Sequence, residues 1–141
     1  MTDRVQGGRL VARALSAEGV DTIFTLCGGH VMPIYEGCRQ EGVRVIDTRH
    51  EQAAAHAAEG WGRVKRACGV AVATAGPGVT GTLTAVANSR VAQTPLVVIG
   101  GARPLAQGGG SQRCIRLRSL RSRDSNGGRP VTSRYSSTPS P

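Results

Sequence analysis

The sequence predicts an α/β fold, a parallel sheet with helices on both faces. Three observations carry that expectation. Short, nearly continuous apolar runs at residues 22–26, 43–46, 69–74 and 95–99 have the length and β-branched content of strands covered on both sides. Segments with helical spacing alternate with them in the order α-β-α-β-α-β-α-β. The runs are followed by glycines or short polar turns, the punctuation expected where strands hand over to helices.

The elements follow in order. Val5, Leu10, Val11 and Leu15 share one face of a helix over residues 4–19, with Ala12 and Ala14 filling in and Gly19 ending it. The strand at 22–26 closes on Cys27-Gly28-Gly29. A second helix is expected from Pro33 to Gln40, because proline suits a first helical turn. Gly42 breaks the chain before the strand at 43–46. An Ala-rich helix is expected over residues 50–65. The third strand, 69–74, runs into the turn Ala75-Gly76-Pro77-Gly78, then a helix over 79–92 and a last strand ending in Gly100-Gly101.

Residues 111–141 break this pattern. They hold seven Arg against one Asp, whereas residues 1–110 hold 11 Lys+Arg against 8 Asp+Glu, so most of the formal +9 sits at the C-terminal end. The stretch is rich in Arg, Ser, Gly and Pro and is expected to be disordered. With Tyr135 as its one aromatic, and no heptads or zinc-ligand spacing, it gives little reason to expect specific nucleic-acid binding. No apolar stretch reaches membrane-spanning length, and Asp3, Arg4 and Arg9 interrupt anything like a signal peptide. Cys27, Cys38, Cys68 and Cys114 form no CxxC pair, which predicts free thiols in a reducing cytoplasm.

In open parallel sheets ligands sit beyond the carboxyl ends of the strands. Gly28-Gly29, His50-Glu51, Gly76-Pro77-Gly78 and Gly100-Gly101 all fall there. Glu51 stands among Ala53, Ala54, Ala55, Ala57 and Ala58. Carboxylates partly withdrawn from water by small apolar neighbours can act as proton donors. From the residues alone, a first-turn acid favoured by the helix dipole is the plainer reading. Thr74-Ala75-Gly76-Pro77-Gly78 lets backbone approach a ligand closely, yet an ordinary tight turn reads the same way. The phosphate-loop pattern GxxxxGK[ST] is absent. His30 is read as a substrate contact or a merely solvated histidine, and Cys27 as a reactive thiol or, the plainer reading, a buried small hydrophobe. His50 and His56, six apart, lie on different helix faces, so no metal site is expected.

Taken together, the motifs resemble a family. Arg49-His50-Glu51-Gln52-Ala53-Ala54-Ala55-His56-Ala57-Ala58-Glu59-Gly60 is similar to the RHE-x-x-A-x-x-A-A-x-G segment of acetolactate synthases, oxalyl-CoA decarboxylases and 2-hydroxyacyl-CoA lyases. Ala73 to Gly78 resembles their T-[SA]-G-P-G turn, residues 19–24 with Gly28-Gly29 their G-V-x-x-x-F…G-G opening, and residues 95–101 their P-L-V-x-[IL]-x-G strand. Spacing and order agree from about residue 8 to residue 109.

The resemblance implies an N-terminal, pyrimidine-binding domain for thiamine diphosphate over residues 1–109, incomplete, with an unrelated tail over 110–141. It implies that Glu51 hydrogen-bonds N1′ of the cofactor's aminopyrimidine, favouring the tautomer that takes the proton from the thiazolium. Thr74, Gly76, Pro77 and Gly78 would lie against that ring, and Gly29 and His30 would face the substrate. In the family the active site forms between the pyrimidine domain of one subunit and the diphosphate domain of another. A homo-oligomer or a separate diphosphate-domain subunit is therefore the implied partner.

Three departures matter. Gly81 stands where an Asn often follows the Gly-Pro-Gly turn. The family's Gln-containing segment has no counterpart in residues 110–141, which points to a frame change near residues 108–111. The GDG…N motif that holds Mg²⁺ and the diphosphate is absent. The expectation is a domain fragment inactive alone. The alternatives are one chain of a split enzyme, or a regulatory or nucleic-acid-binding protein acting through the basic tail.

Overall fold

The computed structural model describes residues 5–102. The expectations for the basic tail and for a frame change lie outside the described residues. In chain order the elements are α1 (Gly7–Ala17), β1 (Thr22–Thr25), a 3₁₀ turn (Gly29–Val31), α2 (Met32–Gln40), β2 (Arg44–Asp47), α3 (Glu51–Lys65), β3 (Gly69–Ala73), α4 (Pro77–Gly81), α5 (Leu83–Val91) and β4 (Leu96–Gly100). The strands form one sheet in the order β2-β1-β3-β4, and all pairs are parallel. The α/β fold expected from the sequence is the fold observed.

Alternation along the central strands sorts the core into two layers. Ile23, Val70 and Val72 face α1 and α2, where they pack with Ala12, Val31, Ile34 and Cys38. Phe24 and Ala71 point the other way, onto Ala54, Ala55 and Ala58 of α3 and Ala85 of α5. Small residues dominate this second layer, so α3 lies close to the sheet. β1 and β3 are buried along their whole length, whereas β2 and β4, at the edges, are mostly exposed or half-buried.

The ends of α3 explain its position. His50 has extended backbone, and its Nδ1 accepts a 3.1 Å hydrogen bond from the amide of Gln52, which caps the helix and places Glu51 in its first turn. Arg66 closes the helix in the left-handed conformation, at φ 54°.

One element differs from expectation. The helix expected over 79–92 is two helices, α4 and α5, divided at Thr82. Thr82 is fully buried; its amide and its hydroxyl both bond back to the carbonyl of Val79, the hydroxyl at 2.7 Å. A threonine bonding to its own preceding turn competes with the helical ladder, and here that local bond coincides with the break. The break lets the short α4 lie against the start of α3. No helix among the described residues is long and apolar enough to cross a membrane.

Candidate functional site

The carboxyl rim of β1, β3 and β4 gathers most of the residues singled out from sequence. Glu51, half-buried, begins α3 just beyond β2. Its carboxylate lies across α4: a Cβ on Gly78 would stand 3.4 Å from Glu51 Oε1, and one on Gly81 3.3 Å from Glu51 Cβ. The lack of a side chain at Gly81 lets α4 pack closely on the Glu51 stem, and at both positions the carboxylate lies within contact distance of α4. Gly81, at the position where the resemblance leads one to expect Asn, is in space a packing partner of Glu51.

Thr74 stands at the end of β3, half-buried, and three segments meet on it. Its Oγ1 lies 3.1 Å from His30 Nδ1. A Cβ on Gly28 would fall 2.4 Å from Thr74 Cβ, and one on Gly78 would fall 2.8 Å from Thr74 Cγ2. Gly101, beyond β4, closes the other side, since a Cβ there would stand 2.8 Å from His30 Cβ. His30 is exposed, but the Thr74 contact makes it more than a solvated loop residue.

Gly76 adopts φ 73°, a left-handed conformation that suits glycine, and presents Pro77 as the first residue of α4. Added Cβ atoms at Gly76 and Gly29 would meet nothing within 4 Å, so the backbone there borders open space. The rim therefore combines a carboxylate, a hydroxyl–imidazole pair and bare backbone around open space. Such a set can exchange a proton with a flat heterocycle and lie flush against its face.

A hydroxyl network supports the loop that carries His30. Thr25 Oγ1 donates to the Val72 carbonyl at 2.7 Å, tying β1 to β3. The Tyr35 hydroxyl lies 2.7 Å from Thr25 Oγ1 and 3.2 Å from the Leu26 carbonyl. Burial pushes the Tyr35 hydroxyl above its ordinary pKa, which keeps it a neutral hydrogen-bonding group. On the outer side of the same loop, the Cys27 amide donates to Asp47 Oδ1 at 3.3 Å. Cys27 itself corrects an expectation: its thiol is exposed, 3.8 Å from Met32 Sδ, because β1 ends at Thr25 and the chain has already left the core.

Sequence reasoning passed over Glu59. It is 3% exposed, on the inner face of α3, and its carboxylate takes hydrogen bonds from Asn88 of α5 and Arg63 of α3, with His56 Nδ1 at 3.6 Å. Burial pushes the carboxyl up, but Asn88, Arg63 and His56 together hold it below the usual range. Its only sequence signal is an acid one helical turn before an arginine, which equally describes a surface pair.

Residues 5–119 match the family model for the thiamine pyrophosphate enzyme, N-terminal TPP binding domain. The match continues past the break at residue 109 expected from the motifs. An acetolactate synthase large subunit of Mycobacterium tuberculosis is 57% identical over 105 residues, which are 74% of this chain and 19% of the relative. A 2-hydroxyacyl-CoA lyase 2 of Caenorhabditis elegans is 49% identical over 110 residues, 77% of this chain and 17% of the relative. The human 2-hydroxyacyl-CoA lyase 2 is 51% identical over 96 residues, 68% of this chain and 15% of the relative. The chain thus spans less than a fifth of the length of these relatives. With its fold, its rim and these similarities, the chain belongs to the thiamine pyrophosphate enzyme family, through that family's N-terminal TPP-binding domain.

Proposed function

We propose that the rim is the pyrimidine-binding half of a thiamine-diphosphate site, in an enzyme of the acetolactate synthase type that forms or breaks carbon–carbon bonds of 2-keto acids. The observation that carries this reading is the Glu51 carboxylate lying across Gly78 and Gly81 of the Gly-Pro-Gly segment. The residues present fit the cofactor: a carboxylate for a ring nitrogen, beside glycine backbone bare enough to take a flat ring.

When bound, thiamine diphosphate supplies a nucleophilic thiazolium carbon for addition to a substrate carbonyl. Glu51 holds and moves the proton shared with the pyrimidine's ring nitrogen. Thr74, Gly76, Pro77 and Gly78 form the surface against which the pyrimidine lies. His30 and Gly29 face the substrate side of the rim. The 141 residues contain no GDG motif, so Mg²⁺ and the diphosphate are held by a different domain or subunit. The working partner is accordingly another copy of the enzyme or a diphosphate-binding chain, and the 141 residues alone make no acetolactate from pyruvate.

Titration of the ¹⁵N-labelled chain with thiamine diphosphate tests the reading. Amide shifts confined to Glu51, Gly76, Gly78 and their neighbours are expected. Shifts confined to the Arg-rich stretch after residue 110 would show bare attraction for the diphosphate and overturn it. Acetolactate formed by the purified chain, free of host enzyme, would overturn the proposed inactivity.

A further inference from the structure

We propose that Thr74 is a positioning residue for His30, fixing both the direction and the protonation pattern of its imidazole. Thr74 Oγ1 lies 3.1 Å from His30 Nδ1. His30 sits in a three-residue 3₁₀ turn, a short element that by itself holds a side chain loosely. Three neighbours remove that freedom. Gly28 brings the loop onto Thr74 so closely that a Cβ would fall 2.7 Å from the hydroxyl oxygen. Gly101 sits against His30 Cβ from the β4 side. Thr74 is anchored at the end of the fully buried strand β3.

The chemistry of the pair sets the tautomer. A half-buried hydroxyl needs an acceptor for its hydrogen, and among the described residues the acceptor it touches is His30 Nδ1. When the hydroxyl donates to Nδ1, the neutral imidazole carries its proton on Nε2. Nε2–H then becomes a donor on an exposed side chain, without a partner among the described residues, at the rim where β1, β3 and β4 end. A donor of this kind suits a carbonyl or carboxylate oxygen, as a 2-keto acid presents. That ligand class rests on the reading of the rim given above; the Thr74–His30 relationship does not. Thr74 thereby has a role separate from contact with the pyrimidine ring, since its hydroxyl is already engaged.

The test reads the His30 ring nitrogens of the ¹⁵N-labelled 141-residue chain by NMR at about pH 8, above the ordinary imidazole range, without cofactor. The expected result is a dominant Nε2–H tautomer, with Nδ1 shifted as a hydrogen-bonded acceptor. Thr74→Val removes the hydroxyl at nearly constant shape and should return Nδ1 to the position of a free lone pair. Thr74→Ser keeps the hydroxyl and should restore the parent shift. Should Thr74→Val fail to fold, Thr74→Ala replaces it with the same readout. A proton on Nδ1 in the parent chain would overturn the proposal, and so would identical Nδ1 shifts with and without the hydroxyl. Because no cofactor is present, either result leaves the thiamine-diphosphate reading to be judged by its own titration.

Discussion

Asn88 of α5 donates a 2.7 Å hydrogen bond to the Oε2 of Glu59 on α3, joining the two helices that cover one face of the sheet. Arg63, half-exposed, bonds the other carboxylate oxygen and reaches Thr94 Oγ1 at 3.1 Å, so the tie extends to the chain entering β4. A nearly buried carboxylate is tolerated here because donors approach both of its oxygens.

Glu59→Ala should destabilise the chain by about 1–3 kcal/mol, the range for removing a hydrogen-bonded partner of buried or charged groups. The pH dependence has a definite sign. The folded carboxyl titrates below its ordinary value of 4.5, so the unfolded chain binds the proton first as pH falls. The stabilisation is present above about pH 4.5 and is lost as pH drops through the lower folded value. Glu59→Gln should remove this component. Glu36, held at about 2 chiefly by its hydrogen bond from Arg39, titrates in the same direction in both proteins, so the difference between them is the quantity to read. Melting temperatures from pH 3 to 7 check this (roughly the carboxylate range), and parallel curves would count against it.

Gly78→Ala and Gly60→Ala should move stability in opposite directions. Both glycines are helical, so alanine gains up to about 1 kcal/mol of helix propensity at either. At Gly60 the new methyl meets nothing within 4 Å, and the gain should be realised. At Gly78 it would stand 2.8 Å from Thr74 Cγ2 and 3.4 Å from Glu51 Oε1, and such overpacking costs about 1–3 kcal/mol. Thermal unfolding should rank Gly60→Ala above the parent and Gly78→Ala below it. Equal stability of the two variants would mean that α4 yields easily and does not hold Glu51.

Among the three described cysteines, Cys27 should react first with a thiol reagent. It is exposed, whereas Cys38 is buried and Cys68 half-buried, and burial pushes both of those thiols up. Reactivity follows thiolate fraction and access. Peptide mapping after brief alkylation checks the order, and modification of Cys38 before Cys27 would contradict it.

The strands are readable because each is a short, largely apolar run set off from the preceding helix by a breaker, such as Gly19 before β1 and Gly42 before β2. The long α3 was readable from its alanines. What escaped depends on contacts far apart in sequence. Glu59 and Asn88 are 29 residues apart, and nothing local marks either as a partner. The break at Thr82 turns on a hydroxyl that could equally have faced water. Cys27 lies just past β1, where nothing local in the sequence says whether the thiol turns back to the core or out to solvent. At the rim the residue types were visible, but the Thr74–His30 bond spans 44 positions and only the fold brings it together.

Glu51→Gln, made in an enzyme that carries this rim together with a diphosphate domain, tests the proposed acid–base role. Glutamine keeps the shape beside Gly78 and Gly81 and can still hydrogen-bond, so the fold should persist. It cannot exchange a proton with the pyrimidine nitrogen. General acid–base assistance contributes about 10²–10⁴-fold, and the hydrogen–deuterium exchange rate at C2 of bound thiamine diphosphate should fall by that much. A rate within a few-fold of the parent would reduce Glu51 to a first-turn acid at the start of α3. In the 141-residue chain, proposed above to be inactive alone, the effect of the same change on melting is the informative readout. A half-buried carboxylate beside glycine backbone is costly to desolvate, so the neutral amide should leave the melting temperature unchanged or slightly raised. A clear loss of stability would show that the charge itself supports α3, and would shift weight from the catalytic reading to the structural one.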